Sequence, residues 1–176
     1  MDQFFALGST HLVNLISYGV VALLAVMTLV TFFVTSDKRL RITSYILGAT
    51  TFFMIWLLIV NPSGAGVKVG DGKLEVNISR VTKIVVNRED VVSARILDWK
   101  EVDEYKPVLR TFGTSAGDYR IGSFKLKNGK KAKIVAVGTR VLLLELKNED
   151  YILLLAPKDF DDFIRVVNES FIEIPL

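Results

Sequence analysis

Polar and apolar positions divide this chain into two unlike parts. From Leu12 to Val34 no side chain carries charge, and Leu, Val, Ala, Phe and Ile dominate. The pattern resumes from Ile42 to Val60 as "ITSYILGATTFFMIWLLIV". A bilayer core of about 30 Å is crossed by roughly 20 helical residues, so both runs qualify as spans. Neither run shows the polar face at helical period that a helix pair packed in a soluble protein would carry. A cleaved signal peptide opens with basic residues, whereas this chain opens "MDQFFALGSTH" and its apolar run is longer. The prediction is a retained two-helix transmembrane hairpin over residues 1–60, with spans at about 12–34 and 42–60.

After Val60 the pattern changes. "NPSGAG", residues 61–66, is a breaker-rich linker. Short Val- and Ile-dense runs follow at Val67–Val69, Lys73–Ile78, Val81–Val86 and Val91–Leu97, and read as strands. The stretch from Asp98 to Tyr119, holding Pro107, Gly113 and Gly117, is expected to be irregular, with Trp99 and Phe112 at core edges. Two hairpins come next, one turning at Asn128-Gly129 and one at Asn148–Asp150. A helix closes the chain, with Pro157 in its first turn and Asp159, Asp161 and Asp162 at the positive end of its dipole. Phe160, Phe163, Ile164, Val167 and Phe171 form its apolar stripe. Residues 67–176 are thus expected to be a mainly-β domain of about seven antiparallel strands capped by a carboxy-terminal helix.

In "SFKLKNGKKAKIVA" a two-residue turn would pair Leu126 with Lys131 and mix the faces. A three-residue loop, Lys127 to Gly129 with Gly129 left-handed, sends Phe124, Leu126, Ala132 and Ile134 inward together. Lys125 then lies opposite Lys131, with Lys133 on the same face and Lys127 and Lys130 at the tip. Like charges placed opposite one another are unfavourable, which makes these five lysines the candidate site for an anionic partner. The competing reading is a solvated face whose lysines guard an edge against aggregation.

Charge adds a direction. The first sixty residues carry only Asp2, Asp37, Lys38, Arg39 and Arg41, out of 22 basic and 19 acidic side chains in the chain. Lys38, Arg39 and Arg41 sit between the spans, where basic residues mark the cytoplasmic side. The expected topology is two-pass, with the amino terminus and the carboxy-terminal domain extracytoplasmic. The sequons at Asn77 and Asn168 fit that side but arise readily by chance. Within the second span, Ser44 and Gly48 form a small-xxx-small pair suited to close helix packing. Asn14, Ser17 and Thr28 are mildly polar but not ionisable and suggest no ion path, and His11 falls at a span boundary.

Chemistry is mostly excluded. With no cysteine and one histidine, thiol catalysis, a histidine triad and a zinc site have no side chains to use, and no cofactor is expected. A net charge of +3 spread along the chain gives no footprint for nucleic acid. "GAGVKVGDG" lacks the strand before and helix after that a nucleotide loop needs. The acidic run "DWKEVDEY", with Asp98, Glu101, Asp103 and Glu104, lacks the alternating ligands of a calcium loop. Two functions stay open. One is a membrane-anchored binding or scaffolding module that meets membrane lipids and either a protein partner or a second copy, as an accessory or self-assembling subunit. The other is a cell-envelope enzyme using carboxylates of segment 98–104. No small-molecule substrate is indicated for either.

The order of strands and helix, with Tyr119-Arg120, Gly122-x-Phe124, the Asn128-Gly129 turn, Tyr151 opening the last strand, and Pro157 leading to Phe160 and Phe163, resembles the prokaryotic pleckstrin-homology-like (bacterial PH) domain family. The resemblance runs from Leu74 to Glu173. It implies a PH-like fold and a role in binding or assembly, with no catalytic residues to carry over. Eukaryotic relatives hold inositol phosphates with basic residues of the first hairpin. Here that hairpin offers only Lys68 and Lys73 beside Asp71 and Glu75, a departure from that pattern that leaves the ligand open.

Overall fold

The computed structural model describes residues 2–8, 11–34, 38–60, 64–79 and 82–174. The chain forms two compact units, one from residues 10–63 and one from the residues on either side of them.

The first unit is a helical pair, α1 (His11–Val34) and α2 (Lys38–Ile55), the latter continuing as a π-helical turn at Trp56–Val60. Val13–Phe33 and Ile42–Val60 are long and apolar enough to cross a membrane. The seam between them is built from small polar residues. Ser44 and Thr51 are buried, and the hydroxyl oxygens of Thr28 and Thr51 lie 3.1 Å apart. A Cβ added at Gly48 would sit 3.7 Å from the Thr28 methyl, at ordinary van der Waals contact with α1. Large apolar residues such as Leu15, Leu23, Phe33 and Phe52 are exposed. A soluble protein rarely presents such a surface all round. Lys38, Arg39 and Arg41 fall in the first turn of α2, and their side chains, like that of His11, lie outside the described residues.

The second unit holds two sheets and a helix. The smaller sheet is β1 (Gln3–Ala6), β2 (Gly66–Gly70), β3 (Lys73–Asn77) and β4 (Lys83–Asn87), in that order. The larger contains β5 (Val91–Asp98), β6 (Pro107–Ala116), β7 (Tyr119–Leu126), β8 (Lys131–Val137), β9 (Arg140–Leu146) and β10 (Tyr151–Ala156), ordered β5-β9-β10-β8-β7-β6. The helix α3 (Phe160–Ser170) follows.

Alternation along the central strands buries both faces of the larger sheet, which is why β9 and β10 read as unbroken apolar runs. One face carries Phe124, Leu126, Ile134, Leu143 and Leu154 in a single core cluster with Trp99. The other carries Val135, Leu142, Leu144, Leu153 and Leu155, all fully buried. In the smaller sheet Phe5, Val67, Val69, Leu74 and Val76 share one buried face. The Phe5 ring meets Phe163 of α3 edge-on at 5.5 Å. The stripe read from the sequence is the docked side of α3, with Phe163, Ile164 and Val167 buried. The helix starts later than Pro157, with Asp159 at its cap.

Four expectations need correction. Residues 3–6, assigned to the membrane hairpin, form a strand of the β unit, because Phe5 and Leu7 are apolar enough to be buried and Gly66 lets the β1 backbone approach. The segment expected to be irregular contains the ten-residue strand β6. Its binary pattern is absent because it is an edge strand exposed along nearly its whole length. Phe112, expected at a core edge, is 69% exposed, whereas Trp99 is buried. Finally, the sheet is mixed, since β10 pairs with β8 in parallel. Val81 of the predicted third strand lies outside the described residues. Of the two sequon asparagines, Asn168 is engaged, its Oδ1 accepting from the Ile174 N–H at 2.8 Å.

Candidate partner-binding face

The β7–β8 hairpin folds as the alternation demands. Phe124 pairs with Ala132 and Lys125 with Lys131. The loop is closed by Leu126 N–H donating to the Lys130 carbonyl at 2.9 Å, and Gly129 has φ +84°. A β-carbon is strained in that left-handed region, so glycine fixes the loop length and with it the register.

The register then orders the outer face. Leu109, Lys125, Lys131 and Tyr151 make one cross-strand row, and Phe112, Ser123, Lys133 and Leu153 make the next. Beyond them Ile121, Val135 and Leu155 are buried, so the lysines begin where the cover of this face ends. A cleft of about 530 Å³ opens there, lined by Thr111, Ser123, Lys125, Lys131, Lys133 and Tyr151 among others.

The five lysines do not share one fate. Lys127 pairs with Asp103 and Lys131 with Asp150, while Lys130 reaches Glu145 at 2.9 Å. These hydrogen bonds hold the carboxyls of Asp103, Asp150 and Glu145 below the ordinary range. Lys133 lies 3.8 Å over the ring of Tyr151, a cation–π contact that leaves its charge uncancelled. Burial, with Glu149 beside it, pushes the Tyr151 phenol up to about 12, so it stays a neutral hydrogen-bond donor. Lys125 has no ion pair among the described residues. Lys125 and Lys133 are therefore the cations this face leaves over, and Lys131 is shared with Asp150.

Sequence reasoning missed Leu109, Phe112 and Tyr151 as members of this face. Only the pairing of β6 with β7 and of β8 with β10 brings them there. Its location in the unit is also a tertiary result. Near the points where the chain leaves and re-enters the β unit, the Leu7 N–H donates to the Ala65 carbonyl at 3.0 Å. That junction lies beside the carboxy-terminal end of β10, where Lys158 N–H donates to the Ala6 carbonyl at 3.3 Å. Tyr151 opens β10 at its other end, roughly 17 Å away at the usual strand rise.

The carboxylates of segment 98–104 do not converge. Asp98 accepts from the Lys100 N–H and the Thr139 hydroxyl, each at 2.8 Å, and Asp103 faces Lys127. Among the described residues no group of three or more His, Cys, Asp or Glu is placed to hold a metal.

A family model described as Bacterial PH domain matches residues 68–170, more than half of the chain. Neither the comparison with curated proteins nor that with solved structures gives a match. The chain belongs to the bacterial PH domain family.

Proposed function

From this membership, we propose that the chain is a membrane-anchored binding and scaffolding module without catalytic activity. It would serve as an accessory or self-assembling subunit of a membrane complex, docking its partner on the face of Lys125, Lys131 and Lys133. PH-like domains are typically non-enzymatic binding modules. The observation that carries the reading is the like-charged row around an open cleft, for which, among the described residues lining it, only Asp150 supplies a counter-charge. The enzyme alternative is weaker, because Asp98 and Asp103 are engaged in a turn and an ion pair and no acid–base pair is positioned.

The domain is proposed to be extracytoplasmic, as the basic cluster Lys38, Arg39 and Arg41 favours. Pairing of β1 with β2 supports an even number of crossings, since the segments before and after the helices must meet on one side. Cysteines introduced as Asp37→Cys and Asn148→Cys should respond oppositely to an impermeant thiol reagent on intact cells, with only position 148 labelled. Labelling at 37 alone reverses the topology.

The functional reading is tested by purifying the tagged full chain in mild detergent and quantifying its companions by mass spectrometry. A companion at fixed stoichiometry, or a second copy, should be present for the unaltered chain and lost from the Lys125→Gln, Lys131→Gln, Lys133→Gln triple variant. A chain that purifies alone, or a triple variant that keeps its companion, defeats it.

A further inference from the structure

The two rows of the lysine face end at β6 in exposed apolar side chains, Leu109 at 57% and Phe112 at 69%. Exposed large apolar groups beside uncancelled cations describe a surface that is neither purely solvated nor purely hydrophobic. Building on the partner-binding reading above, we infer that the occupant of this face is an acidic protein segment carrying at least one large apolar side chain. Its carboxylates would meet Lys125 and Lys133, and its apolar group would pack on Leu109 and Phe112.

Two other occupants fit less well. Strand addition along β6 is obstructed by two register shifts, between Pro107 and Leu109 and between Arg110 and Phe112. Such bulges twist an edge away from a continuous ladder. A second copy using the same face would set lysines against lysines, because a two-fold contact apposes the same patch on both partners. What the two rows call for is a partner of opposite charge that also brings an apolar group. Asp150 occupies Lys131 in the free protein, so it competes with the incoming carboxylates. This makes a prediction of opposite sign to the lysine changes.

The test uses the full chain in nanodiscs of phosphatidylcholine and a fluorescein-labelled ten-residue peptide of glutamate with two central leucines, read by anisotropy. Binding should exceed that of an all-glutamate peptide. It should weaken about tenfold in Lys125→Gln/Lys133→Gln and severalfold in Phe112→Ser, and tighten in Asp150→Asn, because charge-assisted contacts and apolar packing each contribute. Circular dichroism checks that each variant is folded, and Asp150→Asn keeps the test decisive if the lysine variants fail to fold. Equal binding by the unaltered chain and Lys125→Gln/Lys133→Gln, or no gain in Asp150→Asn, overturns the inference. So does association with phosphatidylglycerol nanodiscs without peptide binding, which assigns the face to lipid. Self-association lost in Phe112→Ser, without peptide binding, assigns it to a second copy. Failure of the peptide while the companion seen in detergent persists would remove this chemistry and leave the binding role standing.

Discussion

Two hairpins of the β unit carry lysines, and they solve the same electrostatic problem differently. In β2–β3, Lys68 stands opposite Glu75, pairs with Asp2 at 2.8 Å, and Glu75 in turn reaches Lys83 at 2.7 Å. Charges alternate across the sheet, and the row is closed within the chain. In β7–β8, Lys125 stands opposite Lys131, and among the described residues the pair's compensation comes only from Asp150 on the β9–β10 turn. A lysine hairpin is therefore a candidate binding face only where neighbouring strands fail to return the opposite charge. The first hairpin, where the family resemblance would have looked for an anion site, is neutralised internally. The second is not.

The comparison is broken most severely by removing β1. Deleting residues 1–8 takes Asp2 from Lys68 and uncovers the packing site of Phe5 and Leu7, which are 5% and 1% exposed. Loss of two buried side chains should cost on the order of 5 kcal/mol, seen as a large drop in the denaturant midpoint of the full chain. Phe163→Ala, which removes the ring against Phe5, should cost about 3–5 kcal/mol. An unchanged midpoint for either would show that the first hairpin does not depend on its cover.

A middle-sized effect should follow Gly113→Ala. Gly113 has φ +104° and pairs with Gly122, and a Cβ there would meet the Ile121 carbonyl oxygen at 2.0 Å. Loss of about 1–3 kcal/mol is expected from the strained backbone alone. Displacement of β6 should also weaken peptide binding, since Phe112 is the adjacent residue. Unaltered stability and binding would mean that β6 is dispensable to the second hairpin.

The smallest effects sharpen the contrast because they differ in sign. Glu75→Gln opens a compensated row and should lower stability, whereas Lys125→Gln relieves a like-charged pair and should raise it, each by about 0.2–1 kcal/mol. Matched thermal melts at low and high salt check this, with both differences shrinking as salt screens them. The same sign for both variants would erase the distinction.

Local rules were enough for much of this protein. The two long apolar helices follow from unbroken apolar length, α3 from its stripe of Phe163, Ile164 and Val167, and the β7–β8 register from the requirement that Phe124, Leu126, Ala132 and Ile134 share a face. The five lysines of the candidate face were legible for the same reason. What the tertiary structure alone decided depends on pairing between distant segments. β1 is too short to announce itself, and it becomes a strand because β2, some sixty residues on, presents a glycine edge and an apolar site for Phe5. β6 escaped because an edge strand exposed on nearly every side chain has no alternation to read. Which lysines stay uncancelled was equally invisible, since Asp103, Glu145 and Asp150 come from elsewhere in the chain. Hydrophobic periodicity records which side of an element is buried. Only the fold determines what the exposed side of that element stands next to.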